Sequence, residues 1–418
     1  MNYFKRYRTD IISMFWMTIA VVIARLLFIL LMPYTFSKDL YSWLNVIEIL
    51  KRQGNPYSET SVLNWPPFWM QILYGVHLLS KIIPLSEVRL IQSVLILCDA
   101  GVATLSYIIL KKHLGIQKPA KLLFIGWALN PISILLTCQH CNFDIFVGAW
   151  ILLFVSALLS FYENYKIVKW LMACFFLGMG ILTKTIPLLL SPILLIAIQK
   201  EHESTKIFGA VLLLMPVIIG MSIIFSLGHI GVTENVLQYR SMSGWYGITG
   251  ILSLLNLADI VKAYQAHSAW LFLALFLLLM WTCHKIKILP PQQLIRLVFL
   301  VLIAIPLFGP GYSPPYILWY LPLAILLYPH SDKITKSTFV IGYLILSLTY
   351  ITEYAFFSSH GAFIVKFFQT AGMQSLSDYL GARPQQVLIR LPMFLFYAFL
   401  FILSIRGMNL RSYYITKS

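Results

Sequence analysis

Trp65-Pro66-Pro67-Phe68-Trp69-Met70-Gln71-Ile72-Leu73-Tyr74-Gly75-Val76-His77-Leu78-Leu79-Ser80-Lys81-Ile82-Ile83-Pro84 is an apolar stretch that decides the topology of the chain. If it crosses a bilayer, every later loop changes side. The basic residues arbitrate, because Lys and Arg accumulate in cytoplasmic loops. With Trp65–Pro84 kept out of the span count and the N-terminus inside, the inner loops collect 19 of the 31 Lys and Arg. Lys111, Lys112, Lys118 and Lys121 fall in one short inner loop, and Arg406, Arg411 and Lys417 in the tail. The outer side holds 11 over much longer loops, and Arg25 lies within the first span. Counting Trp65–Pro84 as a span exports 16 of those 19. The stretch is therefore expected to lie outside, against the membrane surface.

The rest of the chain is read outward from there. Its 418 residues are 59% apolar and 11% charged, with mean hydropathy +0.81. A soluble chain is roughly a quarter charged, so a soluble enzyme is excluded. The net charge of +16 is then an effect of membrane insertion and not a sign of nucleic acid. Apolar runs of spanning character fall at 11–32, 90–110, 122–138, 143–161, 169–183, 185–199, 206–227, 269–284, 294–308, 315–329, 337–357 and 387–405. The expectation is an all-α integral membrane protein of about twelve transmembrane helices, one polytopic domain over 1–418. The first run follows a basic N-terminus and lacks a small-residue cleavage site, so it reads as an uncleaved span.

The first outer loop, about 33–89, carries its own helices. From Asp39 to Gln53, Leu40, Trp43, Leu44, Ile47 and Leu50 share one stripe, opposite Asn45, Glu48 and Arg52. That pattern is an amphipathic helix suited to the interface plane. Gly54-Asn55-Pro56 ends it, and Pro66-Pro67 opens the next helix. Outer segments at about 228–268 and 358–386 complete that side.

Only 15 carboxylates are present, so acid–base candidates are few. Asp99 lies inside the second span, where an acid is either functional or a helix-packing group bonded to Ser or Thr. Asp39 and Asp144 sit where apolar helices meet the outer surface. Each is either a partly desolvated base or a helix N-cap. Lys184 interrupts an apolar stretch and calls for an anionic partner, a lipid phosphate or a protein carboxylate, unless it snorkels to the interface. Arg240, in Tyr239-Arg240-Ser241-Met242-Ser243-Gly244-Trp245, joins a cation to hydroxyls and aromatics, a mixture that fits a phosphate or sugar and equally an interfacial belt. Cys138-Gln139-His140-Cys141 has no second CxxC and reads as small residues at a helix end, not a metal site. Nucleotide-loop and hydrolase motifs do not occur in a credible context.

Taken in order, these segments resemble the GT-C superfamily of polytopic glycosyltransferases. The resemblance runs through Asp39-Leu40-Tyr41, Gly54-Asn55-Pro56-Tyr57 and Asn64-Trp65-Pro66-Pro67 in the first outer loop. It continues through Asn130-Pro131, His140-Cys141-Asn142-Phe143-Asp144, Leu182-Thr183-Lys184 with Pro187 and Pro192, and Tyr239-Arg240-Ser241 with Gly244-Trp245-Tyr246-Gly247. Gly309-Pro310-Gly311-Tyr312, Tyr316, Trp319 and Pro322 close it, so it covers about 39–322. Within that superfamily the segments resemble bacterial polyprenyl-phosphate-mannose-dependent mannosyltransferases and, more distantly, the first mannosyltransferase of GPI synthesis. Asp39 is followed by Leu40 and not by a second acid, Trp65 stands where Tyr is usual, and nothing after about 330 matches.

The resemblance implies an inverting transfer of a hexose, mannose foremost, from a polyprenyl-phosphate sugar to a lipid or glycan acceptor. It implies an extracytoplasmic site in a membrane, the bacterial inner membrane foremost. Within it, Asp39 acts as general base, Lys184 and Arg240 bind the donor phosphate, and Asp144, His140 and Tyr312 orient sugar or acceptor. No metal ligand is assigned, although a divalent metal would be compatible with the chemistry. Membrane lipids are partners and nucleic acid is not. The alternative from a different class is a sugar-lipid flippase, which needs the same cations but no base.

Overall fold

The computed structural model describes residues 2–32, 37–196, 198, 202–227, 232, 235–236, 243–286, 289–311, 313–356, 379 and 382–408. Among them, eight helices are long and apolar enough to span: Thr9–Leu31, Glu87–His113, Asp144–Asn164, Glu203–Ser222, Ala258–Lys285, Pro291–Phe308, Lys333–Ala355 and Pro384–Arg406. A ninth span is broken, Pro119–Ala128 and Pro131–Gln139 meeting at 52°. The all-helical membrane fold is as expected, and nine of the twelve expected spans have spanning length and composition among the described residues. The three other predicted runs form Ile167–Thr183, the 3₁₀ segment Ile186–Leu195 with Pro192 inside it, and Ile317–Leu327, all shorter than about 20 residues.

The decisive stretch forms the helix Phe68–Ser80. Thirteen residues at 1.5 Å each give about 20 Å, short of the ~30 Å hydrocarbon core. It packs beside Lys38–Lys51 and Glu87–Ile108. Lys38–Lys51 buries Leu40, Trp43, Val46, Ile47 and Ile49. Its apolar face is thus covered by protein and not laid on lipid. Trp43 sends its indole N–H to the Cys141 carbonyl (3.0 Å) and sits edge-on to Trp69 and Phe143. The segment 37–89 is thereby clamped onto the 140–144 turn.

The break in the ninth span has a chemical cause. Pro131 has no N–H for the Trp127 carbonyl, and the Ile132 N–H turns instead to the Asn130 side chain (2.8 Å), leaving Ala128 without its helical donor. Buried carbonyls at membrane depth need replacement donors. Arg25 supplies one to Ala128 O at 2.5 Å and adds a second to Trp127 O (3.1 Å), which already accepts the Asn130 N–H (3.1 Å). Its Nε donates to Asp99 Oδ2 at 2.7 Å, and Asp99 also accepts from Ser133 Oγ (2.8 Å) and Trp127 Nε1 (2.6 Å). Of the two expectations for Asp99, packing is what is found, with an ion pair added to the serine bond.

Following each helix to its end separates two faces. One gathers residues near 31–39, 139–144, 183–186, 308–317 and 353–356, and the contacts below join them. The opposite one gathers the ends near 113–119, 164–167, 285–291, 327–333 and 406.

Candidate active site

Ser37 starts the site. Its hydroxyl accepts the Leu40 N–H (3.1 Å), capping Lys38–Lys51, and donates to the His140 carbonyl (2.6 Å). The cap role expected as an alternative for Asp39 therefore belongs to Ser37. Asp39, in the first turn, is set beside the 140–144 segment, with its side chain about 34% exposed.

Asn142 connects the two outer carboxylates. Its Oδ1 accepts the Asp144 N–H (2.8 Å), which turns its Nδ2 onto Asp39 Oδ2 (2.8 Å). The same oxygen lies 3.0 Å from His140 Nε2. With the carboxylate as acceptor, Nε2 carries the proton, so in the neutral ring Nδ1 accepts from the Tyr354 hydroxyl. A chain Asn142–Asp39–His140–Tyr354 results, and it fixes one carboxylate oxygen in place.

Asp144 opens Asp144–Asn164 without capping it. Its Oδ1 accepts from Lys184 Nζ and from Trp319 Nε1, both at 2.7 Å, with Lys184 and Asp144 each about 1% exposed. Of the partners open to Lys184, a protein carboxylate is the one present, and burial excludes snorkelling. Aromatic faces surround the ammonium: Trp65 at 3.8 Å, Tyr316 at 4.2 Å and Trp319 at 4.8 Å from ring centroid. Such faces favour a desolvated cation. Tyr316 stacks on Trp319 at 4.2 Å, holding the far wall. Lys184 is also near enough to Asp39 to feel its charge. Beside it opens a cavity of about 190 Å³, lined by Trp65, Thr185, Phe272, Gly309, Gly311 and Tyr316.

Four of the six predicted site residues, Asp39, His140, Asp144 and Lys184, thus meet in one network. Arg240 and Tyr312 lie outside the described residues. The C-terminal helices, unmatched by any motif, contribute three side chains that sequence inspection missed. Tyr354 bonds His140, and its neighbour Glu353 is paired with Arg390. Arg390 lies over the Tyr246 ring at 3.8 Å. The available signal was their charge, since Glu353 and Arg390 each interrupt a late apolar run. Among the described residues, no group of three or more His, Cys, Asp or Glu could hold a metal. Cys138 and Cys141 are buried free thiols.

The fold has a solved counterpart. It is similar to the crystal structure of ArnT from Cupriavidus metallidurans bound to undecaprenyl phosphate, with a TM-score of 0.50 and 13% identity, over 96% of this chain and 76% of that one. The likeness is one of fold, an all-helical membrane architecture as expected. No family model matches the chain, and no curated protein matches it.

Proposed function

We propose that the protein is a glycosyltransferase that takes its sugar from a polyprenyl-phosphate donor and delivers it, with inversion, to a lipid or glycan acceptor. The observation that carries the proposal is the placing of Asp39: a part-exposed carboxylate, oriented on one oxygen by Asn142 and His140, on the face that also holds Lys184 and its cavity. A flippase needs cations for a lipid phosphate but has no use for an oriented base. The fold counterpart was crystallised with undecaprenyl phosphate, a lipid of the donor's class, which supports the choice of donor.

In the proposed reaction Asp39 accepts the proton of the acceptor hydroxyl while its oxygen attacks the anomeric carbon. The bond from that carbon to the phosphate oxygen breaks, and polyprenyl phosphate leaves with the electron pair. Attack and departure on opposite faces invert the centre, through an oxocarbenium-like transition state. Charge grows on the leaving phosphate, and preorganised cations stabilise it. Lys184 takes that role, with Arg240 as second cation. An ammonium has three N–H donors and Asp144 engages one of them, so Lys184 can hold Asp144 and a phosphate together. His140 and Asp144 hold the site in register, and Tyr312 orients sugar or acceptor. The sugar is a hexose, mannose foremost by the motif resemblance, and the site faces the outside of a bacterial inner membrane.

The test is transfer of radiolabelled sugar from a synthetic polyprenyl-phosphate mannose by the purified protein, in detergent with added acceptor extract. Transfer is expected. Transbilayer movement of the donor in proteoliposomes with no transfer under any acceptor would establish the flippase instead.

A further inference from the structure

A second cavity lies away from the site. It is an apolar groove of about 600 Å³ between the first half of the broken span, Ile317–Leu327, Lys333–Phe356 and Arg383–Arg406. Leu122, Ile125, Leu321, Tyr343, Phe396 and Leu400 are among its walls, and Lys118 and Lys121 line it as well. Both lysines are exposed, and among the described residues no carboxylate lies within ion-pair distance of either.

The position of the lysines follows from chain geometry alone. Pro119–Ala128 and Pro131–Gln139 together form one broken span that ends at His140, in the site. About 20 residues at 1.5 Å each separate the two ends by roughly 30 Å, less the bend, which is the thickness of the hydrocarbon. Lys118 and Lys121 therefore stand on the membrane face opposite Asp39 and Lys184. The other walls agree. Phe339, Val340 and Tyr343 belong to the start of Lys333–Phe356, whose far end carries Tyr354 in the site.

We propose that this groove binds an anionic glycerophospholipid of that opposite leaflet, its phosphate on Lys118 and Lys121 and an acyl chain along the apolar walls. Charge complementarity selects this occupant. Basic pockets between helices on the cytoplasmic side attract anionic headgroups. A donor whose phosphate sits at Lys184 enters from the other face and would leave these two lysines without a counter-charge. Occupancy does not depend on the transfer reaction, so the two proposals stand or fall separately.

Native mass spectrometry of the purified protein tests it, with equal amounts of phosphatidylglycerol and phosphatidylcholine of matched chains, and then with polyprenyl phosphate as competitor. The wild type should retain phosphatidylglycerol preferentially. Lys118→Gln with Lys121→Gln should lower that preference roughly five- to thirtyfold, since one lysine near a membrane surface contributes about fivefold and two together about thirtyfold. Among the described residues neither lysine has an ion-pair partner to lose, and both are exposed, so this variant should fold. Gly126→Leu is the second probe. A Cβ at Gly126 meets the nearest Ile325 atom at 3.5 Å, an ordinary contact, so the added side chain should enter the groove and reduce retention of both lipids. The proposal is overturned by unchanged preference in the double lysine variant. One-for-one displacement of phosphatidylglycerol by polyprenyl phosphate also overturns it, because the groove would then hold the donor tail.

Discussion

Two carboxylates, Asp99 and Asp39, attach to the same broken span, one beside its break and one at its end. At the break, Arg25 and Asp99 are fully buried, and the guanidinium is spent on Asp99, Ser133, the Ala128 carbonyl that the Asn130–Pro131 turn leaves without its helical donor, and the neighbouring Trp127 carbonyl. Asp99 in turn accepts at both oxygens, from Arg25, Ser133 and Trp127. At the end of the span, Asp39 is held on Oδ2 while its side chain stays about a third exposed. The same pairing of acid with nitrogen donor serves different purposes. A carboxylate saturated inside protein repairs a helix, and one oriented at a wet edge can take a proton from a ligand.

The comparison breaks if the two acids respond alike. Asp39→Asn should lower sugar transfer 10²–10⁴-fold, the usual loss for a missing general base, with an unchanged thermal unfolding midpoint. The helix keeps its cap, because Ser37 provides it. Near wild-type transfer by this variant would remove Asp39 from the chemistry and turn attention to Asp144. Arg25→Met should do the reverse. It leaves Asp99 a buried charge without its cation and strips the Ala128 carbonyl of its donor, so about 3–5 kcal/mol of stability should be lost. Transfer per folded molecule should hold. Equal losses of transfer in both variants, normalised to folded protein, would erase the distinction.

How much of this was legible in the sequence follows the same division. Apolar runs reveal helices because insertion depends on local composition, and the motifs placed Asp39, His140, Asp144 and Lys184 on one common face. The partners were less visible. Asn142 sat inside a quoted motif, yet its role as a bridge depends on the turn that points its two amide atoms in opposite directions. Arg25 and Asp99 are 74 positions apart and marked only by their cost in a membrane. Tyr354 carries no charge and reaches His140 from a region without motifs, so no local pattern announces it. The span count is not settled by hydropathy where Pro192 and the short run after Tyr316 make segments too short to be told from full spans by composition alone.

Lys184 stands between the two cases, buried like Arg25 yet lining a cavity like a ligand group. Lys184→Gln keeps an N–H for Asp144 but removes the charge. If Lys184 only closes a packing pair, donor affinity should not move in the protein that remains folded. With a phosphate contact, binding of a polyprenyl-phosphate analogue should weaken by roughly 1.5–3 kcal/mol, the range for a lost charged hydrogen bond. Fluorescence titration with polyprenyl phosphate distinguishes the outcomes.

The smallest expected effect separates capping from positioning. Ser37→Ala removes a helix cap, which ordinarily lowers stability by about 0.5–2 kcal/mol. Ser86 is a fair control, since it caps Glu87–Ile108 by accepting from Arg89 N and, among the described residues, its side chain bonds nothing in the site. Ser86→Ala should shift the unfolding midpoint slightly and leave transfer per folded molecule alone. Ser37 does more, because its hydroxyl also donates to the His140 carbonyl and so sets the distance between Asp39 and His140. Its loss should lower kcat beyond what stability explains, with little change in KM, because misplacing a base by a fraction of an ångström slows proton transfer without weakening the donor's phosphate contacts. If Ser37→Ala and Ser86→Ala behave alike in kcat, Asp39 is positioned by Asn142 and His140 without help from the helix start, and Ser37 is a cap alone.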